Sequence, residues 1–505
     1  VLDLTHQQLI GNNSKPNAFS NNLLNNIGLL TGTKPYIRVG GNTQDYALYN
    51  GSLKEATNGT YDLSRSSDYP TTLSIGPLFF ESYGTFPDTR FIHGFNLALG
   101  GNSSEGLTNL LETVPIACKA LSNGKLFAWE FGNEPDLYVT SGSSPVRPRT
   151  WHEPQYVAQW LNGTRAIKSA IAAACPNLAL NNTFDWIAPS FAGTHDWLAP
   201  LTTWEDGLDT DGDIKQYSHH KYDHHLPALM NTSDKCSYIG GATAPGVTLQ
   251  GTLMNHSSNV HSLINPVKLL ISLQNFTNIP FIFGETNSLY NEGAPGLSNS
   301  FGAALWGIDY NLYSASVGVR RVHMHQGTDY RYASWQPTHT NKTSIGTKPP
   351  YYGNIAVAAM MGDLTLDQVQ IANIPMKSEL ESAYAAYVDG ALGRIAVINM
   401  REYNYTVDGA GAALNPAARP SQLYTFSVSA ECGPEVGVQR LIANGSDAVS
   451  GISWDGLSYN WELDMGKPVR LYNVTIGETA NVVNGVVSVS VKDSEAVILN
   501  FLRRR

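Results

Sequence analysis

A repeated rhythm is what most constrains how this chain can fold. Short β-rich runs recur over roughly the first 350 residues, each ending in small or polar residues, with helix-like stretches between them. The clearest are KPYIRVGGN (34–42), RFIHGFNLALGGN (90–102), KLFAWEFGNEP (125–135), LALNNTFDWIAPSF (178–191), IKQYSHHKYD (214–223), IPFIFGETNSLY (279–290) and GVRRVHMHQG (318–327). The opening VLDLT makes an eighth. Of the intervening stretches, TNLLETVPIACKALS and EPQYVAQWLNGTRAIKSAIAAAC are amphipathic; in the second, Tyr156, Trp160, Ile167 and Ile171 share one helical face. Eight strands alternating with helices predict a (β/α)8 TIM barrel. An open doubly wound sheet is the weaker reading, because no Gly-rich phosphate loop follows any strand.

After YYGNIAVAAMMGD, read as the last barrel helix, helical periodicity is lost. GRIAVINM, LYTFSVS, PVRLYNVTI and NGVVSVSVKDSEAVILNFL alternate with turns rich in Gly, Asn and Pro, which is the pattern of an all-β sandwich. We therefore expect a catalytic barrel over 1–370 and a C-terminal sandwich over 371–505. A chain of 505 residues is too long for one ordinary core, so two domains also fit its length. A net charge of −10 speaks against nucleic acid or an anionic membrane as partner.

Asn-x-Ser/Thr sequons are spread along the chain, for example at Asn50, Asn58, Asn102, Asn162, Asn231, Asn275, Asn341, Asn404 and Asn473. Their spread predicts a secreted, extracellular glycoprotein bearing N-linked glycans. With no leader visible, the sequence is read as a mature form. In that setting Cys118, Cys175, Cys236 and Cys432 would form disulfides, and sequence alone does not choose among the possible pairings. Cys118 and Cys175, both late in helix-like segments, are the favoured pair, which leaves Cys236 for Cys432.

A barrel of this type carries its chemistry where strands end. Those ends offer Arg38, Gly40, Gly41, Asn42 and Asp45; Asn133 and Glu134; His219, His220 and Tyr222; Glu285 and Tyr290; and His323, His325, Tyr330 and Tyr332. Glu134 on the fourth strand and Glu285 on the seventh face each other across the mouth. Two carboxylates in one cleft are the minimal apparatus for glycoside hydrolysis, one protonated and one ionised. Nucleophilic attack needs them about 5–5.5 Å apart and inversion about 6.5–9.5 Å, a distance that sequence spacing does not give. Glu130, mid-strand in the same motif, is read as structural and paired with a cation such as Arg38. HHKYDHH is not read as a metal site, since adjacent strand residues face opposite ways, and no cofactor is implied. His323 and His325 share a face and are read either as pocket lining or as packing inside the barrel. SGSSPVRPRTWHEP, with Arg147, Arg149 and Trp151, is read either as a shaper of the leaving-group side or as a solvated connection.

WEFGNEPDLY resembles the acid/base motif of glycoside hydrolase family 79, which includes β-glucuronidases and heparanases. FIFGETNSLY is similar to its nucleophile strand, IRVGGNTQD to its second strand and SHHKYD to its sixth, and the resemblance runs over essentially the whole chain. It implies retaining hydrolysis of a glucuronic-acid-containing oligo- or polysaccharide, with Glu134 as acid/base and Glu285 as nucleophile. It also implies that Asn133 binds the sugar 2-hydroxyl, that Asn42 binds sugar hydroxyls, and that His220 and Tyr222 line the site, Tyr222 against the nucleophile. Tyr290, the backbone around Glu292 and Gly293, and Tyr330 or Tyr332 correspond to the set that recognises the sugar carboxylate. One departure stands out. Fungal members open the first strand with Ser-Ile-Glu-Phe, whereas this chain has VLDLT, so Asp3 is the nearest substitute. Its shorter reach predicts room for a 4-O-substituent, methyl or sugar. The expectation is thus an exo-acting β-glucuronidase. The alternatives are an endo-acting heparanase-like enzyme, disfavoured by the lack of basic clusters; a neutral-sugar β-glycosidase of the same clan; and a silent carbohydrate-binding relative.

Overall fold

The computed structural model describes residues 11–12, 15–62, 70, 72–140, 145–179, 184–222, 246–290, 292–407 and 413–501. Seven strands form one parallel sheet in unbroken chain order: β1 (Ile37–Val39), β2 (Phe91–Phe95), β3 (Leu126–Phe131), β4 (Trp186–Phe191), β5 (Ile214–Tyr222), β6 (Phe281–Asn287) and β7 (Arg321–Met324). They are the second to eighth of the expected strands. The expected first strand, with Asp3, lies outside the described residues. Sequential parallel order with no reversal is the order of a barrel wall and not of a doubly wound sheet.

Helices α1 (Ala18–Thr31), α2 (Ser104–Ala120), α3 (Glu153–Ala174), α4 (Ile264–Leu273), α5 (Phe301–Ser316) and α6 (Pro349–Met361) accompany the sheet. On α3, Tyr156, Trp160, Ile167 and Ile171 are all buried, as their spacing predicted. A disulfide joins Cys118 in α2 to Cys175 at the end of α3, with Cα atoms 6.2 Å apart, so the favoured pairing holds. Cys236 lies outside the described residues, and Cys432 carries no disulfide among them.

Strand periodicity sorts the side chains. Ile92, Ala128, Ile187 and Ile282 form a small apolar cluster of their own, apart from the large core that contains Phe91, Trp129, Trp186, Phe281 and Phe283. Those alternating neighbours pack against the helical layer, so the small cluster fills the barrel interior. Above it the same inward face turns polar. Glu130 follows Ala128 by one pleat, and a bulge at Gly284, where β5 and β6 shift register, turns Glu285 to the inside. Only glycine fits there, because a Cβ would stand 2.1 Å from the Ser218 hydroxyl.

Beyond α6 the chain turns all-β. Strands β8 (Val369–Ile374), β9 (Glu381–Val388), β10 (Ala391–Asn399), β11 (Ser421–Ser427), β12 (Glu435–Ile442), β13 (Glu478–Val483), β14 (Val486–Lys492) and β15 (Glu495–Asn500) pair antiparallel. One layer runs β8-β9-β10-β15-β12; β14 pairs with β11 and β13 across from it. Val397 and Leu499 face the sandwich core, while Tyr384, Ile398 and Ile498 join the core of the barrel. At that seam Asp309 of α5, fully buried, accepts from the Tyr384 hydroxyl at 2.6 Å and from Asn259 Nδ2 at 2.5 Å, with His256 Nδ1 at 3.0 Å. β8 opens at Val369, slightly ahead of the boundary the sequence pattern placed at 370.

Candidate active site

Arg38 organises the floor of the barrel mouth. It is wholly buried on β1, and its Nε donates to Glu130 Oε2 at 2.6 Å. One terminal nitrogen donates to Glu285 Oε2 at 2.9 Å and the other to Asn133 Oδ1 at 2.7 Å. Glu130 accepts a further hydrogen bond from the Ser190 hydroxyl at 2.5 Å, so it is paired on both oxygens. This is the structural role its mid-strand position suggested. Gly40 allows the approach, since a Cβ there would lie 2.8 Å from Glu130 Oε2. Asp45 ties the adjoining turns together: it accepts from the amides of Leu97, Ala98 and Asn133 and from the Tyr138 hydroxyl.

Glu134 closes β3 in the left-handed region, with φ 49°, a conformation that costs a non-glycine residue about 1–3 kcal/mol. Its amide donates to Ser190 O at 3.0 Å, and Oε1 faces His220 Nδ1 at 3.0 Å. Burial raises its carboxyl far above the usual range, and the charges of Glu285, Asp136 and Asp196 add to this against the pull of Arg38. His220 is neutral, because burial and the Arg38 cation hold its imidazole well below the ordinary value. Asp136, also buried, accepts the amides of Ala192 and Gly193, and hydrogen-bonds to Asp196 at the exposed rim.

Glu285 meets the opposite surroundings. Burial acts to raise its carboxyl, but His325, His220, Arg38 and the Tyr222 hydroxyl act together to hold it far below the usual carboxylate range. Burial pushes the His325 imidazole down to about 4, so at milder pH the guanidinium and the hydroxyl carry the effect. One oxygen each of Glu134 and Glu285 lies within 4.8 Å of the other, and His220 offers a nitrogen to the same point. Those three side chains are the described residues that could converge on a cation. Arg38 already neutralises Glu285, so the set reads more simply as an acid and a base.

The structure brings most of the remaining expected residues to this mouth. Asn133 is buried, and its Nδ2 donates to Oδ1 of the exposed Asn42 at 2.9 Å. Tyr222 donates to Glu285 Oε1 and packs with Tyr330 and Tyr332. Gly293, at φ 82°, lies against Tyr332, where a Cβ would meet the ring at 3.1 Å, and its amide donates to Tyr290 O at 3.3 Å. His219 and His220 do face opposite ways: His219 packs on Phe281 and Phe283. His224 and His225 lie outside the described residues. Arg147 binds the carbonyls of Leu97 and Ala98 and stacks over Tyr138 and Trp151, so it braces the loop and is not solvated.

Three features went unread in the sequence. They are Glu285 and Asn133 as further partners of Arg38, the Asp136–Asp196 carboxyl pair, and the meeting of two tyrosines on His325. Ser218, one pleat before the inward His220, was legible as an inward residue; Ser190 was not, because period two sets it with Trp186 and Ala188 and its left-handed backbone, φ 57°, turns it inward.

Comparison with known proteins adds to this geometry. The model of the glycosyl hydrolase family 79 C-terminal beta domain matches residues 383–498. A β-glucuronidase of Neurospora crassa is 56% identical over 491 residues, covering 92% of this chain and 84% of that protein. One from Aspergillus niger is 55% identical over 498 residues, covering 97% and 87%. Among solved structures, a 4-O-α-L-rhamnosyl-β-D-glucuronidase from Fusarium oxysporum 12S superposes with a TM-score of 0.71 at 24% identity, over 95% of this chain and 91% of that one. A family 51 α-L-arabinofuranosidase from Thermotoga petrophila gives 0.57 at 11% identity, over 96% and 90%. At these identities the structural likenesses speak for the fold alone.

Proposed function

The chain belongs to glycoside hydrolase family 79, and from that premise we propose that it is an exo-acting β-glucuronidase working with retention, Glu285 being the nucleophile and Glu134 the acid/base. The observation that carries the mechanism is the pair itself: one oxygen each within 4.8 Å, in opposite electrostatic surroundings. Oxygens that near each other favour direct attack over the wider spacing of an inverting pair. Glu285, ionised beside Arg38, attacks the anomeric carbon. Glu134, protonated, gives its proton to the departing oxygen. In its Nδ1–H tautomer His220 donates to Glu134 Oε1, leaving the other oxygen to carry the proton outward. Glu134 then takes a proton from water, which releases the sugar with its β configuration kept.

Asn133, fixed by Arg38, and Asn42 read sugar hydroxyls. The Tyr290, Tyr330 and Tyr332 hydroxyls receive the sugar carboxylate, together with the backbone around Glu292 and Gly293. The barrel over 1–370 is the catalytic unit, and the sandwich buttresses it. The natural substrate is a polysaccharide side chain ending in glucuronic acid, with tolerance of a 4-O-substituent following from Asp3. Equal or better turnover of unsubstituted glucuronides would remove that last element. Secretion belongs to the same proposal. Asn50, Asn58, Asn102, Asn162, Asn275, Asn341 and Asn473 are exposed, as glycan acceptors must be, and a mass loss on endoglycosidase treatment would test this.

The decisive test compares kcat/KM for an aryl β-D-glucuronide and an aryl β-D-glucoside at mildly acidic pH, with NMR of the first-formed sugar. Glucuronide preference and an initial β-anomer are expected. An initial α-anomer would overturn retention, and glucoside preference would overturn carboxylate recognition.

A further inference from the structure

Two tyrosines reach one atom. The Tyr222 hydroxyl stands 2.7 Å from His325 Nδ1, and the Tyr332 hydroxyl stands 2.8 Å from it. Tyr222 also donates to Glu285 Oε1, and His325 Nδ1 lies 3.4 Å from that oxygen. In this direction an imidazole nitrogen offers one lone pair or one N–H, so it makes one good hydrogen bond at a time. With the ring neutral, two hydroxyls compete for it.

The backbone holds the competitors in place. The His325 amide donates to Thr286 O at 2.8 Å, and Asn287 Nδ2 donates to His325 O at 2.9 Å and towards Tyr332 O at 3.5 Å. Thr286 and Asn287 directly follow the nucleophile on β6. Any response of the cluster is therefore a redistribution of hydrogen bonds between nearly fixed heavy atoms, requiring only rotation of an O–H.

We propose that His325 is a positioning residue that passes recognition of the substrate carboxylate on to the nucleophile through Tyr332 and Tyr222. This rests on the reading of Tyr332 as a carboxylate-binding group. Without substrate, Tyr332 donates to His325 Nδ1, and Tyr222 donates to Glu285. A bound uronate takes the Tyr332 hydroxyl, because a hydrogen bond to an anion is stronger than one to a neutral ring. Nδ1, 3.4 Å from Glu285 Oε1, then shares the Tyr222 O–H with that oxygen through its vacated lone pair, as a three-centre hydrogen bond. The nucleophile loses part of a donor and gains reactivity, while Arg38 still holds its other oxygen. A neutral glucoside leaves Tyr332 on His325 and meets a quieter Glu285. Discrimination against it thus appears in kcat as well as in KM.

The test is steady-state kinetics on aryl β-D-glucuronide and aryl β-D-glucoside for the parent enzyme, His325→Leu, His325→Asn and Tyr332→Phe. For His325→Leu, kcat on the glucuronide is expected to fall on the order of tenfold, the scale of one hydrogen bond, with KM little changed. Its kcat on the glucoside should fall by less, and His325→Asn, which restores a short polar group, should recover part of the loss on the glucuronide. Equal losses on both substrates, or a change in KM alone, would reduce His325 to packing and overturn the coupling. Tyr332→Phe tests the premise separately: an unaltered KM for the glucuronide would remove Tyr332 from carboxylate recognition, whatever His325 does.

Discussion

Glu134 and Glu285 are the same residue type, nearly equally buried and within 4.8 Å of each other, yet their neighbourhoods are opposites. Glu285 is met by a guanidinium, a phenol and an imidazole, drawn from β1, β5 and the turn after β7. Glu134 is met by a neutral imidazole, with Asp136 and Asp196 behind it from its own turn and the loop after β4. Asp309, at the seam with the sandwich, is a useful third case. It is as buried as either, but three donors serve it, and despite its burial they hold its carboxyl below the usual range. Donors and cations, and not depth alone, decide which buried carboxyl keeps its proton.

The largest expected effects come from removing the two glutamates. Glu285→Ala should lower kcat by about 10⁴-fold or more for every substrate, since no covalent step remains. Glu134→Ala should cost about 10²–10⁴-fold with a poor leaving group and far less with an activated aryl one, because only the former needs its proton. A penalty independent of leaving group would break the contrast between the two. Next comes Arg38→Met, which strands Glu130 and Glu285 without their cation. A loss of about 3–5 kcal/mol in urea unfolding is expected, partly recovered when Glu130→Gln is added.

The pH profile sharpens the contrast further. In the proposed mechanism Glu134 works protonated, so the alkaline limb of kcat/KM should follow its ionisation. Burial is the main cause of its raised value, and Glu285, Asp136 and Asp196 add to it. Burial and Asp196 raise the Asp136 carboxyl too, so the hydrogen-bonded pair shares a proton. Replacing both with Asn removes its remaining charge, and Glu134 should then lose its proton at lower pH, moving the alkaline limb downward. An unmoved limb would leave burial and Glu285 as the whole cause.

Much of this was legible in the residues. The barrel showed because seven apolar runs each ended in polar groups, and the sandwich because period two replaced period 3.6 after α6. WEFGNEP and FIFGETN exposed both glutamates, since a carboxylate ending an apolar strand has few structural uses. The Arg38–Glu130 pair followed from a charge in mid-strand. What stayed hidden depended on geometry that spacing does not encode. The bulge at Gly284 turns Glu285 towards Arg38, and Asp136 finds Asp196 only through the fold of a loop sixty residues on. The convergence of Tyr222 and Tyr332 on His325 joins β5 to the loop after β7, and nothing local predicts it.

The smallest predicted effect lies far from the chemistry and tests the third carboxylate. Tyr384→Phe removes one donor from Asp309 and should cost about 1 kcal/mol of stability with no change in kcat or KM. His256, the ionisable donor, adds a pH signature. Burial acts to lower its imidazole, but the hydrogen bond and charge of Asp309 outweigh it, and the folded value lies above the unfolded one. Its contribution is therefore complete below the unfolded value and is lost as pH rises through the folded one. Replacing His256 with Gln should flatten that part of the stability profile while leaving the activity profile where it was. If the activity limb moved as well, the seam and the barrel mouth would be electrostatically coupled, and Asp309 would no longer serve as an independent control for the two glutamates.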